Sequence, residues 1–145
     1  QKVTEAHITI NGTSEKQIGA GLVILLGIES SDGKEDIEWL SGKISRLRIF
    51  KDTDGVMNLS LKDVGASVMI VSQFTLHAST RKGNRPSYIK AAPPEIAIPL
   101  YEKFIQQMEQ DTSKPVVCGE FGAYMKIRLT NDGPVTILMD TKNKE

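Results

Sequence analysis

Gly21-Leu22-Val23-Ile24-Leu25-Leu26-Gly27, "GLVILLG", is the stretch whose reading decides the fold. Its five aliphatic residues are unbroken by any polar side chain. Successive side chains of a strand point to opposite faces, so a strand of this kind must be covered on both. The run is short, rich in β-branched residues and bounded by glycines, which favours a strand over a helix. It is also far too short to span a bilayer. Val68-Met69-Ile70-Val71 repeats the pattern. Two covered strands put a sheet in the middle of the molecule, with helices against it.

The segments around these strands fit that plan. His7-Ile8-Thr9-Ile10 alternates, Asn11-Gly12 turns, and Gln17-Ile18 returns, as in a β-hairpin. Ser31-Asp32 is expected to cap a helix whose apolar positions are Ile37, Leu40, Ile44 and Leu47. A second helix starts at Pro93-Pro94-Glu95, with Leu100, Phe104 and Met108 on one face. Pro99 would break its first turns, so this helix is expected to start late or to kink. Lys126 to Leu129 and Val135 to Met139 both read as strand. The expected fold is α/β: a β-rich mixed sheet in helix/sheet/sheet layers, with two main helices in one domain spanning residues 1–145.

Composition excludes several classes of function. Charged residues are 25% and hydrophobic residues 39% of the 145, ordinary for a globular chain. The formal net charge is zero, so an anionic partner must be held by a local patch rather than a global field. Cys118 is alone and cannot form an internal disulfide, which fits a reducing, cytoplasmic setting. No signal peptide is visible; the chain opens on Gln1, and a few preceding residues are expected.

The chemical motifs divide unevenly. Asp52-Thr53-Asp54-Gly55 lacks the further oxygen ligands of a calcium loop and reads as a turn. Gly19-Ala20-Gly21 precedes a strand instead of opening a helix, so it is not a dinucleotide loop. Two histidines and one cysteine lie too far apart for a zinc site. No metal or cofactor is implied. Ser72-Gln73-Phe74-Thr75-Leu76 closes a buried strand just before a long polar loop, where sites concentrate. If the strand continues, Gln73, Thr75 and His77 share one face. Thr75 beside His77 then resembles an activated nucleophile, but on the residues alone plain solvated strand positions are the better reading. The following loop, "STRKGNRPSYIK", carries Arg81, Lys82, Arg85 and Lys90 with no acid among them. It is either a solvated loop or a place for phosphates.

"NDGPVT" (Asn131 to Thr136) is an odd connection between two strand-like runs, because Pro134 cannot donate to the ladder that follows. Together with "SQFTL" (Ser72 to Leu76), "KGNRPSY" (Lys82 to Tyr88), "AAPPE" (Ala91 to Glu95) and "FGAYM" (Phe121 to Met125), it resembles, in order and spacing, the D-aminoacyl-tRNA deacylase family. The resemblance covers nearly the whole chain. It implies hydrolysis of the ester between a D-amino acid, or mischarged glycine, and the 3′-terminal adenosine of tRNA. It implies a barrel-like homodimer in which Ser72, Gln73, Phe74 and Thr75 line the site. Gly133-Pro134 would be a cis dipeptide inserted into the partner's site, its carbonyls turned to the substrate amino group. The resemblance also makes Arg81, Lys82 and Arg85 tRNA contacts, and Phe121 and Met125 walls of the adenine pocket. Members usually carry an arginine where this chain has Lys2, which can brace the Gly-Pro loop only as a point charge. A non-catalytic tRNA-binding module of the same fold is the competing reading.

Overall fold

The two apolar runs are neighbouring parallel strands at the centre of a curled sheet. The computed structural model describes all 145 residues. Strand β1 (Lys2–Ile10), β2 (Ser14–Ile18), β3 (Gly21–Leu26), β6 (Ser67–Ser72) and β7 (Val117–Cys118) follow one another across the sheet in the order β2-β1-β3-β6-β7, and β8 (Met125–Asn131) pairs with β1. Between β3 and β6 lie helix α1 (Lys34–Arg46), the two-stranded ribbon β4 (Phe50–Lys51) and β5 (Met57–Leu59), and the short helix α2 (Leu61–Val64). Helix α3 (Pro94–Thr112) joins β6 to β7. The sheet curls almost into a barrel: Lys16 on β2 donates to the Cys118 carbonyl on β7 at 2.9 Å.

Alternation along β3 and β6 explains why Leu22–Leu26 and Val68–Val71 lack polar residues. Leu22, Leu26, Val68 and Ile70 face α1 and α3, where they pack with Ile44, Phe104 and Met108. Val23, Met69 and Val71 face the other way, into the barrel with Val3, Ala6, Ile8 and Ile18. One sheet thus separates two cores, and its central strands are covered on both faces, as expected. At Gly21 the parallel strands nearly touch. A Cβ there would lie 1.9 Å from the Ser67 carbonyl oxygen, so only glycine fits.

Several local expectations need correction. The first helix is capped at Gly33, whose N–H donates to the Asp36 carboxylate at 2.9 Å. Asp32 instead folds back on Glu29, accepting its N–H at 2.9 Å, so Ser31-Asp32 belongs to the preceding turn. The second helix starts at Pro94 and runs through Pro99. Pro99 and Glu95 are both exposed, so the carbonyl that Pro99 leaves without a donor can face water. Val135 to Met139 forms no strand. Its one backbone bond to the body runs from the Lys2 N–H to the Val135 carbonyl at 3.2 Å. The segment crosses to α1 as a strap, ending where Lys142 pairs with Asp36 at 2.9 Å and Asp32 at 3.4 Å. The hairpin at Asn11-Gly12 and the turn at Asp52 to Gly55 are present, the latter tied by the Asp52 carboxylate to the N–H groups of Asp54 and Val56.

Candidate active site

Strand β6 ends at Ser72, and the backbone then turns. Phe74 to His77 form a single 3-10 turn, so Gln73, Thr75 and His77 do not share a strand face. The Gln73 N–H donates to the Leu26 carbonyl at 2.8 Å, which anchors the turn to the carboxyl end of β3. The Gln73 side-chain amide donates to the Thr75 hydroxyl oxygen. No hydrogen bond joins Thr75 to His77, so the Thr-His arrangement is not formed. His77 lies against Gly27, its ring about 3.1 Å from where a Cβ on that glycine would stand. The N–H groups of Phe74 and Thr75, at the start of the turn, donate to no protein group.

Above this turn sits an apolar surface. The Phe74 ring is 56% exposed and meets Tyr88 edge-on, with centroids 5.1 Å apart. Leu76 and Ile89 are exposed beside them in sequence. Tyr88 ends the KGNRPSY motif, but its place beside Phe74 was not legible in the sequence. Its position follows from the bridge between Ser79 and Ser87, which folds the basic loop back toward Phe74. Arg81, Lys82 and Arg85 lie on that loop, all exposed and none in an ion pair. Positive charge and exposed aromatics are therefore adjacent, as nucleic-acid ends require.

Phe121 and Met125 pack against different cores. Phe121 packs on the helix side, 5.8 Å from Tyr101 between ring centroids. It follows β7, which is parallel to β6, so it lies at the same carboxyl end as Ser72. Met125 belongs to the barrel core at the start of β8, opposite Ile10. Beneath the site, the Tyr101 hydroxyl donates to the Ile70 carbonyl at 3.2 Å. Burial, with Cys118 nearby, pushes that phenol well above its usual range, so it stays a neutral donor.

The Gly133-Pro134 corner stands apart. Its peptide bond is cis, both residues are exposed, and no hydrogen bond links them to Ser72–Thr75 of the same chain. Lys2 is buried beneath it, its ammonium 3.2 Å from the Asp132 carboxylate, a point-charge contact as expected for lysine. An apolar cavity of about 410 Å³ lies between β3, α1 and the strap, walled by Ile24, Leu40, Ile44, Phe104 and Met139. Leu76 and His77 reach it, whereas Ser72, Gln73, Phe74 and Thr75 do not.

A family model described as "D-Tyr-tRNA(Tyr) deacylase" matches residues 1–140. The chain belongs to this deacylase family. A protein of Bacteroides thetaiotaomicron named "D-aminoacyl-tRNA deacylase" is 59% identical over 145 residues, covering 100% of this chain and 97% of the other. One of Porphyromonas gingivalis with the same name is 60% identical over the same span and coverage. Among solved structures, the "c-Myc DNA Unwinding Element Binding Protein" superposes with a TM-score of 0.88 at 38% identity, covering 97% of this chain and 95% of that one. A probable eukaryotic D-amino acid tRNA deacylase superposes at 0.79 with 17% identity over 92% of each chain, a likeness of fold. Within the deacylase family frame, the turn after β6 and the Gly-Pro corner are this chain's two candidate site elements. No helix is long and apolar enough to cross a membrane.

Proposed function

We propose that this chain hydrolyses the ester between a D-amino acid and the 3′-terminal adenosine of tRNA. The observation that carries the reading is full-length membership in the family, with relatives near 60% identity named for this activity. Water attacks the ester carbonyl; the carbonyl carbon–oxygen bond to the ribose breaks; D-amino acid and free tRNA leave. The free N–H groups of Phe74 and Thr75 are suited to hold the developing oxyanion. The substrate's own 2′-hydroxyl helps to place the water. No strong nucleophile is required, because an aminoacyl ester is labile, and the Thr75 hydroxyl is engaged by Gln73. The terminal adenine stacks on the exposed Phe74–Tyr88 surface, and Arg81, Lys82 and Arg85 take backbone phosphates.

Chirality is set by the Gly133-Pro134 corner of a second copy in a cytoplasmic homodimer. Its carbonyls accept from the substrate ammonium, which leaves room for a D side chain and drives an L side chain into the wall. Selection by a built-in clash is strict against the wrong hand and admits achiral glycine. The exposure of the corner and its lack of hydrogen bonds to its own Ser72–Thr75 support a role in trans. Release of D-tyrosine from D-Tyr-tRNA over many turnovers tests the activity. Tight, salt-dependent tRNA binding without any turnover would instead make the chain a binding module.

A further inference from the structure

The side chain of Asn131 spans the corner. Its Oδ1 accepts the Val135 N–H at 2.7 Å, and its Nδ2 donates to the Val135 carbonyl at 3.2 Å and the Thr136 hydroxyl at 3.0 Å. The orientation of the amide is forced, since the Val135 N–H can face only an acceptor. Asp132, Gly133 and Pro134 are thereby bracketed between residues 131 and 135. The backbone closes the same bracket: the Asp132 N–H donates to the Lys2 carbonyl at 2.8 Å, and the Lys2 N–H to the Val135 carbonyl at 3.2 Å.

Peptide geometry turns this clamp into a pointing device. The Pro134–Val135 bond is trans, so its C=O and N–H point in opposite directions. Fixing the Val135 N–H inward on Asn131 therefore aims the Pro134 carbonyl outward. That carbonyl accepts from no group of its own chain.

We propose that Asn131 is a positioning residue for chirality: it acts through the Pro134 carbonyl and touches no substrate. The inference rests on the corner serving as the chiral filter. An amide is the fitting group, because it must accept at one end and donate at the other; aspartate keeps only the acceptor arm.

The test compares kcat and KM on D-Tyr-tRNA and L-Tyr-tRNA for wild type, Asn131→Ala, Asn131→Asp and Gly133→Ala, with folding checked by thermal melting and affinity by binding of uncharged tRNA. For Asn131→Ala the expected result is a D-over-L preference reduced tenfold or more, through kcat, with uncharged tRNA bound within about twofold of wild type. A misplacement of about 1 Å costs on the order of a hundredfold in rate, which bounds the effect from above. Asn131→Asp falls between wild type and Asn131→Ala, and carries the test alone if the alanine variant does not fold. A folded variant whose preference and kcat match wild type, while Gly133→Ala loses the preference, overturns the role of Asn131 alone. If Gly133→Ala also keeps the preference, the corner is not the filter and both readings fall.

Discussion

Replacing Gly21 by alanine probes the contact on which the whole layered arrangement depends. The new Cβ would stand 1.9 Å from the Ser67 carbonyl oxygen, 2.7 Å from its carbon and 3.0 Å from its nitrogen. All three are backbone atoms of β6, so no rotamer change relieves them. Ordinary contact begins near 3.4 Å, so the strands must part by roughly 1.5 Å at this rung. Overpacking of this kind costs about 1–3 kcal/mol. The separation also strains the bond from the Ser67 N–H to the Ala20 carbonyl, now 3.1 Å, and the first rung of the β3–β6 ladder. At about 1 kcal/mol each, these bring the loss to about 3–5 kcal/mol. That is a large share of the roughly 5–15 kcal/mol that holds a domain together. Urea unfolding at fixed protein concentration reads it directly: with a slope of about 2 kcal/mol/M the midpoint falls by about 2 M. Gly19→Ala is the control, since nothing lies within 4 Å of its Cβ position, and its midpoint should barely move. A Gly21→Ala midpoint equal to that of Gly19→Ala would refute the argument.

Other expectations follow from the site and the strap. Thr75→Ala should keep kcat on D-Tyr-tRNA within about tenfold, because the hydroxyl is held by Gln73 and faces no base; complete loss in a folded variant that still binds tRNA would make Thr75 the nucleophile. Replacing Arg81, Lys82 and Arg85 together by alanine should weaken tRNA binding and lower the slope of log affinity against log salt by about 2, leaving single-turnover chemistry at saturation unchanged. Burial pushes the Asp36 carboxyl up, but the Thr141 hydroxyl, Lys142 and the Gly33 N–H outweigh it and hold it at about 2. A folded-state value below the unfolded one, near 3.9, adds stability above about pH 4 that is lost as pH falls toward 2. The difference in urea midpoint between wild type and Asp36→Asn should therefore be full at pH 5 and shrink between pH 4 and pH 2.

What could be read in the sequence depended on whether local pattern and long-range pairing agreed. GLVILLG reads correctly because a strand covered on both faces leaves a local trace, the missing polar residue, and β3 has that environment. Val135 to Met139 carries a similar apolar trace, yet a strand also needs a partner. Pro134 removes a donor, and only Val135 is tied to a neighbour's backbone, through Lys2. Ser72 to His77 misleads in the opposite way. Its alternation continues that of β6, but the Gln73 N–H turns to the Leu26 carbonyl and the chain enters a 3-10 turn. That turn frees the Phe74 and Thr75 N–H groups, so the feature most useful to chemistry is the one periodicity hides. Phe121 and Met125 are four residues apart, but β8 begins at Met125 and carries it into the barrel core. Asn131 had a legible signal, since asparagine before a Gly-Pro corner is a residue that bonds its own backbone. Its partner, Val135, could be known only from the folded loop.

The most direct test of the account is hydrolysis of D-Tyr-tRNA and L-Tyr-tRNA by the wild-type chain, side by side, at substoichiometric enzyme. The account requires rapid release of D-tyrosine with L-Tyr-tRNA intact beyond its spontaneous rate. Equal cleavage of both esters, or of neither, would contradict it.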